Sequence, residues 1–277
     1  MIGRTAASLL TICMLAGPAA TATDVGLAAH KAIYKLSLSS KQPRKGTQTV
    51  RGRIFYDFSG SACQGYTLKF RQISDIQSDG KSVVNDLRAS SWEDGDAKGY
   101  KFSSENLTDE KITESAEGKA ERGAKAVDVQ LNKPKRKALN LPGGVVFPSE
   151  QIKRVVEAAR AGKPGVEMPL FDGSETGEKI FDTFTLIGKP IGPGHPPADA
   201  AASVPEMAEL MRWPVTISYF DRSSAKKRAP SEQTPAYVMN FELYENGVSR
   251  ALVLDYPDFS VRGDLIALQM KKEKPCK

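Results

Sequence analysis

The sequence predicts a mostly-β protein: one large antiparallel sheet with a single amphipathic helix packed on it. Three observations carry that expectation. Apolar and polar residues alternate over most of the chain, the period of a strand with one buried face. Asp-Gly and Asn-Gly pairs interrupt the alternation at short intervals, as hairpin turns do. One segment alone switches to the helical spacing of i, i+3, i+4 and i+7.

The chain opens on a leader. Arg4 is followed by a short apolar run from Ala6 to Ala16 and by Ala20-Thr21-Ala22, the small-x-small pattern of a cleavage site. Residues 1–22 therefore read as a signal peptide, and 23–277 as a single β-rich domain. The apolar run is too short to span a bilayer as a helix. Cys13 lies within it and leaves with the leader; bulky Ile12 before it argues against lipid attachment.

Strands follow in order. Ala32, Tyr34, Leu36 and Leu38 share one face, then Val50, Gly52, Ile54, Tyr56 and Phe58, then Tyr66, Leu68 and Phe70. Between the second and third lies a turn, Ser59 to Gly65, by composition. Asp79-Gly80 divides a run ending near Ile76 from one beginning at Ser82, and Asp94-Gly95 divides Trp92 from Tyr100 and Phe102. Asp172-Gly173 ends the run Val166 to Phe171. Further strands are expected at Val127–Leu131, Ile180–Ile187, Pro214–Phe220 and Leu265–Met270. Asn246-Gly247 joins Tyr237–Glu245 to Val248–Asp255 and predicts a two-residue type I′ hairpin.

Ile152, Val155, Val156 and Ala159 form the helical stripe, with Lys153, Arg154, Glu157 and Arg160 opposite; Pro148 and Ser149 open the helix and Gly162 closes it. The stripe is narrow and has no large aromatic, which fits a brace on a sheet better than a helix lying on a membrane. Gly188 to Pro205, rich in Pro, Gly and Ala, reads as a long loop; one continuous sheet across it is preferred to two domains.

Composition is that of a globular chain with a core, 40% hydrophobic and 26% charged over 277 residues. The net charge of +6, or +5 without Arg4, favours weak contact with anionic lipid head groups or glycans. Export makes nucleic acid an unsuitable partner, and nothing after residue 22 has the apolar length of a membrane helix. Two cysteines remain after the leader, Cys63 and Cys276. An oxidising compartment favours their pairing, which would bring the last strand beside Gly60 to Gly65. The other use of two thiols is a metal site, for which only His30 and His195 offer imidazoles and no close Cys pair exists.

Catalytic signatures are missing. His195 sits among prolines and glycines with no partner to fix its tautomer, and His30 reads as a structural hydrogen-bonder. Gly-x-Ser-x-Gly does not occur; Gly173-Ser174-Glu175-Thr176-Gly177 misplaces the serine. The acidic clusters Glu93 to Asp96 and Asp172 to Glu175 depart from calcium-loop spacing and read as solvated turns. A glycosidase pair of carboxylates has no sequence signature to find. The basic run Lys133 to Lys137 reads as a solvated loop, and Trp92 and Trp213 each read as core. No cofactor motif is present.

Five stretches carry a resemblance: His30-Lys31-Ala32-Ile33-Tyr34; Cys63-Gln64-Gly65-Tyr66 with Arg71; Leu141 to Ser149; Leu170-Phe171-Asp172-Gly173-Ser174; and the near-terminal Cys276. Together they resemble the EipB family of envelope integrity proteins over essentially the whole mature chain. The resemblance implies a periplasmic, non-enzymatic protein. It also implies a long, highly curved antiparallel sheet that does not close into a barrel (a β-spiral), similar to lipoprotein-carrier folds, with Cys63 and Cys276 at the family's disulfide positions. One departure is Gln151, where the family pattern leads one to expect histidine.

Three functions compete on this reading. A concave apolar face under a helix would hold a lipid tail, a lipoprotein segment or an apolar peptide. A self-filled interior would instead leave an exposed edge strand as a scaffold for other periplasmic envelope proteins. A cell-wall or polysaccharide hydrolase is the third and weakest. An outer-membrane barrel fits poorly with the central helix and the lack of aromatic girdles.

Overall fold

Alternation of this kind buries one face of each strand, and a sheet with one apolar face must curl around it or cover it. This protein does both. The structure, a computed structural model, describes residues 25–39, 47–225 and 234–272. Cys276 and the leader 1–22 lie outside the described residues.

Fourteen strands form one antiparallel sheet in the order β8-β7-β6-β5-β4-β3-β2-β1-β14-β13-β12-β11-β10-β9. The first arm comprises β1 (His30–Leu38), β2 (Thr47–Ser61), β3 (Gly65–Ser78), β4 (Lys81–Glu93), β5 (Gly99–Thr108), β6 (Lys111–Arg122), β7 (Ala126–Lys133) and β8 (Lys137–Pro142). Helix α1 (Pro148–Arg160) then crosses to the second arm: β9 (Gly165–Leu170), β10 (Phe181–Ile187), β11 (Arg212–Asp221), β12 (Tyr237–Tyr244), β13 (Ser249–Asp255) and β14 (Ser260–Met270). A single helical turn, α2 (Arg222–Ala225), follows β11. Each arm is a meander of sequential neighbours. The arms join where β1 pairs with β14, His30 opposite Met270 and Leu38 opposite Val261. Among the described residues no helix is long and apolar enough to cross a membrane.

Register breaks bend the strands. They fall between Ile33 and Tyr34 of β1, Thr47 and Thr49 of β2, Asn106 and Leu107 of β5, Glu117 and Gly118 of β6, and Asn240 and Glu242 of β12, the last opposite Ala251 at φ 52°. The sheet stops short of closing. Its outermost strands, β8 and β9, are not paired; only Val146, beyond β8, bridges Leu170, with Val146 N donating to Pro169 O at 2.7 Å and Phe171 N to Val146 O at 2.9 Å.

Helix α1 fills the remaining mouth. Val155 and Val156 are fully buried and Ala159 nearly so, in one core with Tyr34, Ile54, Phe58, Ile217, Leu243 and Leu254. Burying each valine stabilises by about 1.5–3 kcal/mol. A second core packs Tyr100, Phe102, Val127, Val129, Phe147 and Phe171 behind the helix N-terminus. The brace reading of the helix therefore holds, and so does one continuous sheet across the Gly188–Pro205 loop. That loop is no bare connector. Ala202 is buried from it, as is Met207 just beyond, and Asp199 accepts from Arg250, which also meets Glu242, itself bound by Arg212.

Several expectations are corrected. The Asn246-Gly247 hairpin is not a two-residue turn: four residues separate β12 from β13, and only Gly247 of the pair has positive φ. Ala28 N donates to Asn246 O and Asn246 Oδ1 accepts from Val248 N, so the turn is shaped by the N-terminal segment that crosses it. Strands β6 and β8 are not among those the alternation predicts; β8 begins at Lys137, the last residue of the basic run. The Asp172 turn is half-buried, not solvated: Gly173 packs where a Cβ would lie 2.3 Å from the Phe102 ring. Trp213 is core, 4% exposed, whereas Trp92 lies half-exposed on the outer face.

Candidate functional site

The sheet's curl leaves an apolar cavity of about 200 Å³ beneath α1. Alternation sets its walls. On one side the inward positions of β1 to β3 give His30, Tyr56, Phe58 and Tyr66, a continuous run of rings: His30 to Tyr56 5.3 Å, Tyr56 to Phe58 6.2 Å and Phe58 to Tyr66 5.4 Å between centroids. On the other, β11 and β12 give Ile217, Tyr219, Phe241 and Leu243. Pro148, Gln151 and Ile152 form the roof.

The roof is tied down from β4. Phe147, at the N-cap position, has no side-chain oxygen to satisfy the first helical N–H groups. Glu93 supplies one from 56 positions earlier: its carboxylate accepts from Ser149 N at 2.6 Å and Glu150 N at 2.8 Å. It is 2% exposed. Burial pushes its pKa up to about 7, against the pull of those two N–H groups. Glu150 in turn reaches back to Phe147 N. Arg122 of β6 holds the approach to the helix, donating to Ala97 O, Gly143 O, Val145 O and Glu150 Oε2 at 2.7–3.1 Å while lying 4.9 Å from the Phe147 ring.

Few polar groups enter the cavity. His30 Nδ1 lies 2.7 Å from Ala28 O, and burial lowers the imidazole pKa, which favours the neutral form. Gln151 Nε2 donates to Thr183 Oγ1 at 3.2 Å, and Thr183 donates onward to Met168 O. Position 151 thus serves packing and a buried hydrogen-bond chain. Burial pushes Tyr34 up to about 12 and Tyr56 higher, so both phenols stay protonated. An enclosed apolar space of about 150 Å³ stays dry and takes a benzene-sized group. This one has the volume of the end of one acyl chain or of one or two apolar side chains.

The other sequence candidates do not converge here. His195 is exposed in the loop between β10 and β11. Cys63 lies in the exposed turn between β2 and β3. Among the described residues no group of three or more His, Cys, Asp or Glu is placed to hold a metal ion. Sequence reasoning missed Glu93 as the helix clamp, since nothing local links a strand-end glutamate to a helix so far along the chain. The aromatic run was legible as a strand face but not as a cavity wall.

Comparison with known proteins places this architecture. The cell envelope integrity protein EipB of Brucella abortus (strain 2308) is 34% identical over 269 residues, covering 96% of this chain and 93% of that protein. A crystal structure of a beta-barrel-like protein with a domain of unknown function, also from Brucella abortus, superposes with a TM-score of 0.79 at 32% identity, over 89% of this chain and 99% of that one. Residues 21–272 match the family model described as EipB-like. With that span matched, the chain belongs to the EipB-like family.

Proposed function

We propose that this protein is a non-enzymatic periplasmic factor that supports cell-envelope integrity by holding the apolar end of a lipid or peptide in the cavity beneath α1. The cavity carries the reading: it is apolar, walled by a run of aromatic rings and roofed by a helix whose N-terminus is clamped by Glu93. The role of the Brucella relative in envelope integrity supports the setting. Native mass spectrometry of protein purified from periplasm should show a co-purifying apolar mass, removed in Ile152→Trp, which fills the roof. Protein that carries no adduct and takes up no fluorescent fatty acid overturns the ligand.

A second reading rests on β8, which pairs with β7 on one side only among the described residues. Its free edge would accept a strand from a partner envelope protein.

We also propose that Cys63 pairs with Cys276. Support comes from the end of β14: Met270 lies across β1 from Phe58, and Lys271 Nζ reaches Asp57 and the Phe58 carbonyl, which directs the chain toward the Ser61–Gly65 turn.

A further inference from the structure

Trp92 is a large aromatic that the core does not use. It projects from the outer face of β4, opposite in sense to Glu93. Its ring lies against bare backbone at Gly65, where a Cβ would come within 2.8 Å of the indole, and Nε1 donates to Gln64 O at 3.3 Å. Lys101 Nζ sits 5.3 Å from the ring centroid. The indole is therefore fixed in place and borders an open depression of about 560 Å³ on the outer surface of β3 to β7.

Register arranges the depression as two rows running across the strands. The first is Trp92, Lys101, Lys119 and Gln130, each opposite the next. The second is Lys69, Ser90, Ser103 and Glu117. Strands lie about 4.8 Å apart, so the first row spans about 14 Å, room for a short run of pyranose rings.

Charge is unbalanced along these rows. Lys101 and Lys119 are directly opposite, a like-charge pair that opposes sheet pairing. Neither Lys69 nor Lys101 has a carboxylate in ion-pair distance among the described residues. The one carboxylate in the lining, Glu117, is engaged by Lys133 at 3.4 Å, and Lys119 by Glu121 at 3.0 Å. Hydroxyl and amide groups stand between the cations. No aliphatic side chain projects from the two rows, and Trp92 is their one apolar group.

We propose that this outer face binds an anionic glycan, with a sugar ring stacked on Trp92 and its acidic groups met by Lys69, Lys101 and Lys119. An aromatic platform flanked by hydroxyls suits pyranose faces, and the ammonium groups of Lys69 and Lys101, which have no carboxylate partner among the described residues, select an acidic polymer over a neutral one. The site is separate from the cavity beneath α1, and its fate in experiment is independent of the ligand proposed there.

Isothermal titration with oligogalacturonate, maltooligosaccharide, and phosphatidylcholine–phosphatidylglycerol vesicles tests it. The acidic oligomer should bind saturably and more weakly as salt rises, and the neutral oligomer should bind at least tenfold more weakly. Lys101→Gln/Lys119→Gln and Trp92→Ala should each weaken binding at least tenfold, while Lys163→Gln/Lys189→Gln, elsewhere on the surface, changes it less than twofold. The lysine pair is exposed, so its readout stands even if Trp92→Ala fails to fold. Absence of oligogalacturonate binding overturns the proposal. So does equal weakening by the control pair, or vesicle binding that depends on Lys101 and Lys119 without glycan binding.

Discussion

Glu93 shows how one side chain couples acidity to the fold. Its folded pKa of about 7 lies above the ordinary 4.5, so between those values the folded state holds a proton that the unfolded chain has lost. Stability from this group is therefore greatest at low pH and falls as pH rises through that window. At about 1.4 kcal/mol per unit, Glu93→Gln should remove roughly 3 kcal/mol of pH dependence between pH 5 and 8. Denaturation midpoints of parent and variant at both pH values would check this; parallel pH profiles would refute it. Asp86 works with the opposite sign and lower down. Arg71 and Arg88 hold it at about 2, so its contribution is present above 3.8 and lost as pH falls toward 2. His30 titrates in part of the Glu93 window with opposite sign, and cancels in the comparison of variant with parent. None of this was legible in the sequence, where Glu93 is one of several acids beside an Asp-Gly turn. Environment, not local pattern, sets its role.

Elements were legible in proportion to how apolar their inner faces are. Helix α1 was readable because its stripe recurs at helical spacing between Pro148 and Gly162, and the structure ends it at Arg160 with Gly162 at φ 67°. Strand β6 was not. Its inward positions are Ala116, Gly118 and Ala120, small because Phe102 and Leu131 fill the space above them; a Cβ on Gly118 would lie 2.8 Å from the Phe102 ring. A strand that yields volume to its neighbours carries no apolar alternation to read. Phe147 joins the helix to this second core, stacked on Tyr100 at 5.1 Å and fully buried. Phe147→Ala should cost about 3–5 kcal/mol, measured by urea denaturation. An effect below 1 kcal/mol would mean the second core does not support the helix.

At the scale of the molecule, the two meanders share a strand pairing only at β1 and β14, so the first and last strands lie in the middle of the sheet and its free edges come from strands midway along the chain. Deleting Ser260–Lys277 should divide the sheet instead of trimming it, abolishing the cooperative thermal transition. A Gly-Ser insertion after Gly194, exposed and with open space at its Cβ position, should leave that transition in place. Circular dichroism melts separate these outcomes. A bond between Cys63 and Cys276 would staple the same seam across 213 positions, worth on the order of 5 kcal/mol at most in the chain-entropy picture. Cys63→Ser should then lower the melting temperature under oxidising conditions to the value of the reduced parent, and be insensitive to reductant itself. The antiparallel meander order was readable from turns between alternating runs. The unclosed curl entered only through family resemblance, because bulges and the bridge at Val146 depend on packing between distant segments.

The join between first and last strands has a further consequence for biosynthesis. A nascent polypeptide emerging amino end first displays β1 with one flank open until nearly every other residue has been made, because β14 ends at Met270. Throughout that interval the row of unsatisfied amides and carbonyls is a template for pairing with other chains, a hazard that ends only when the last strand arrives to cover it.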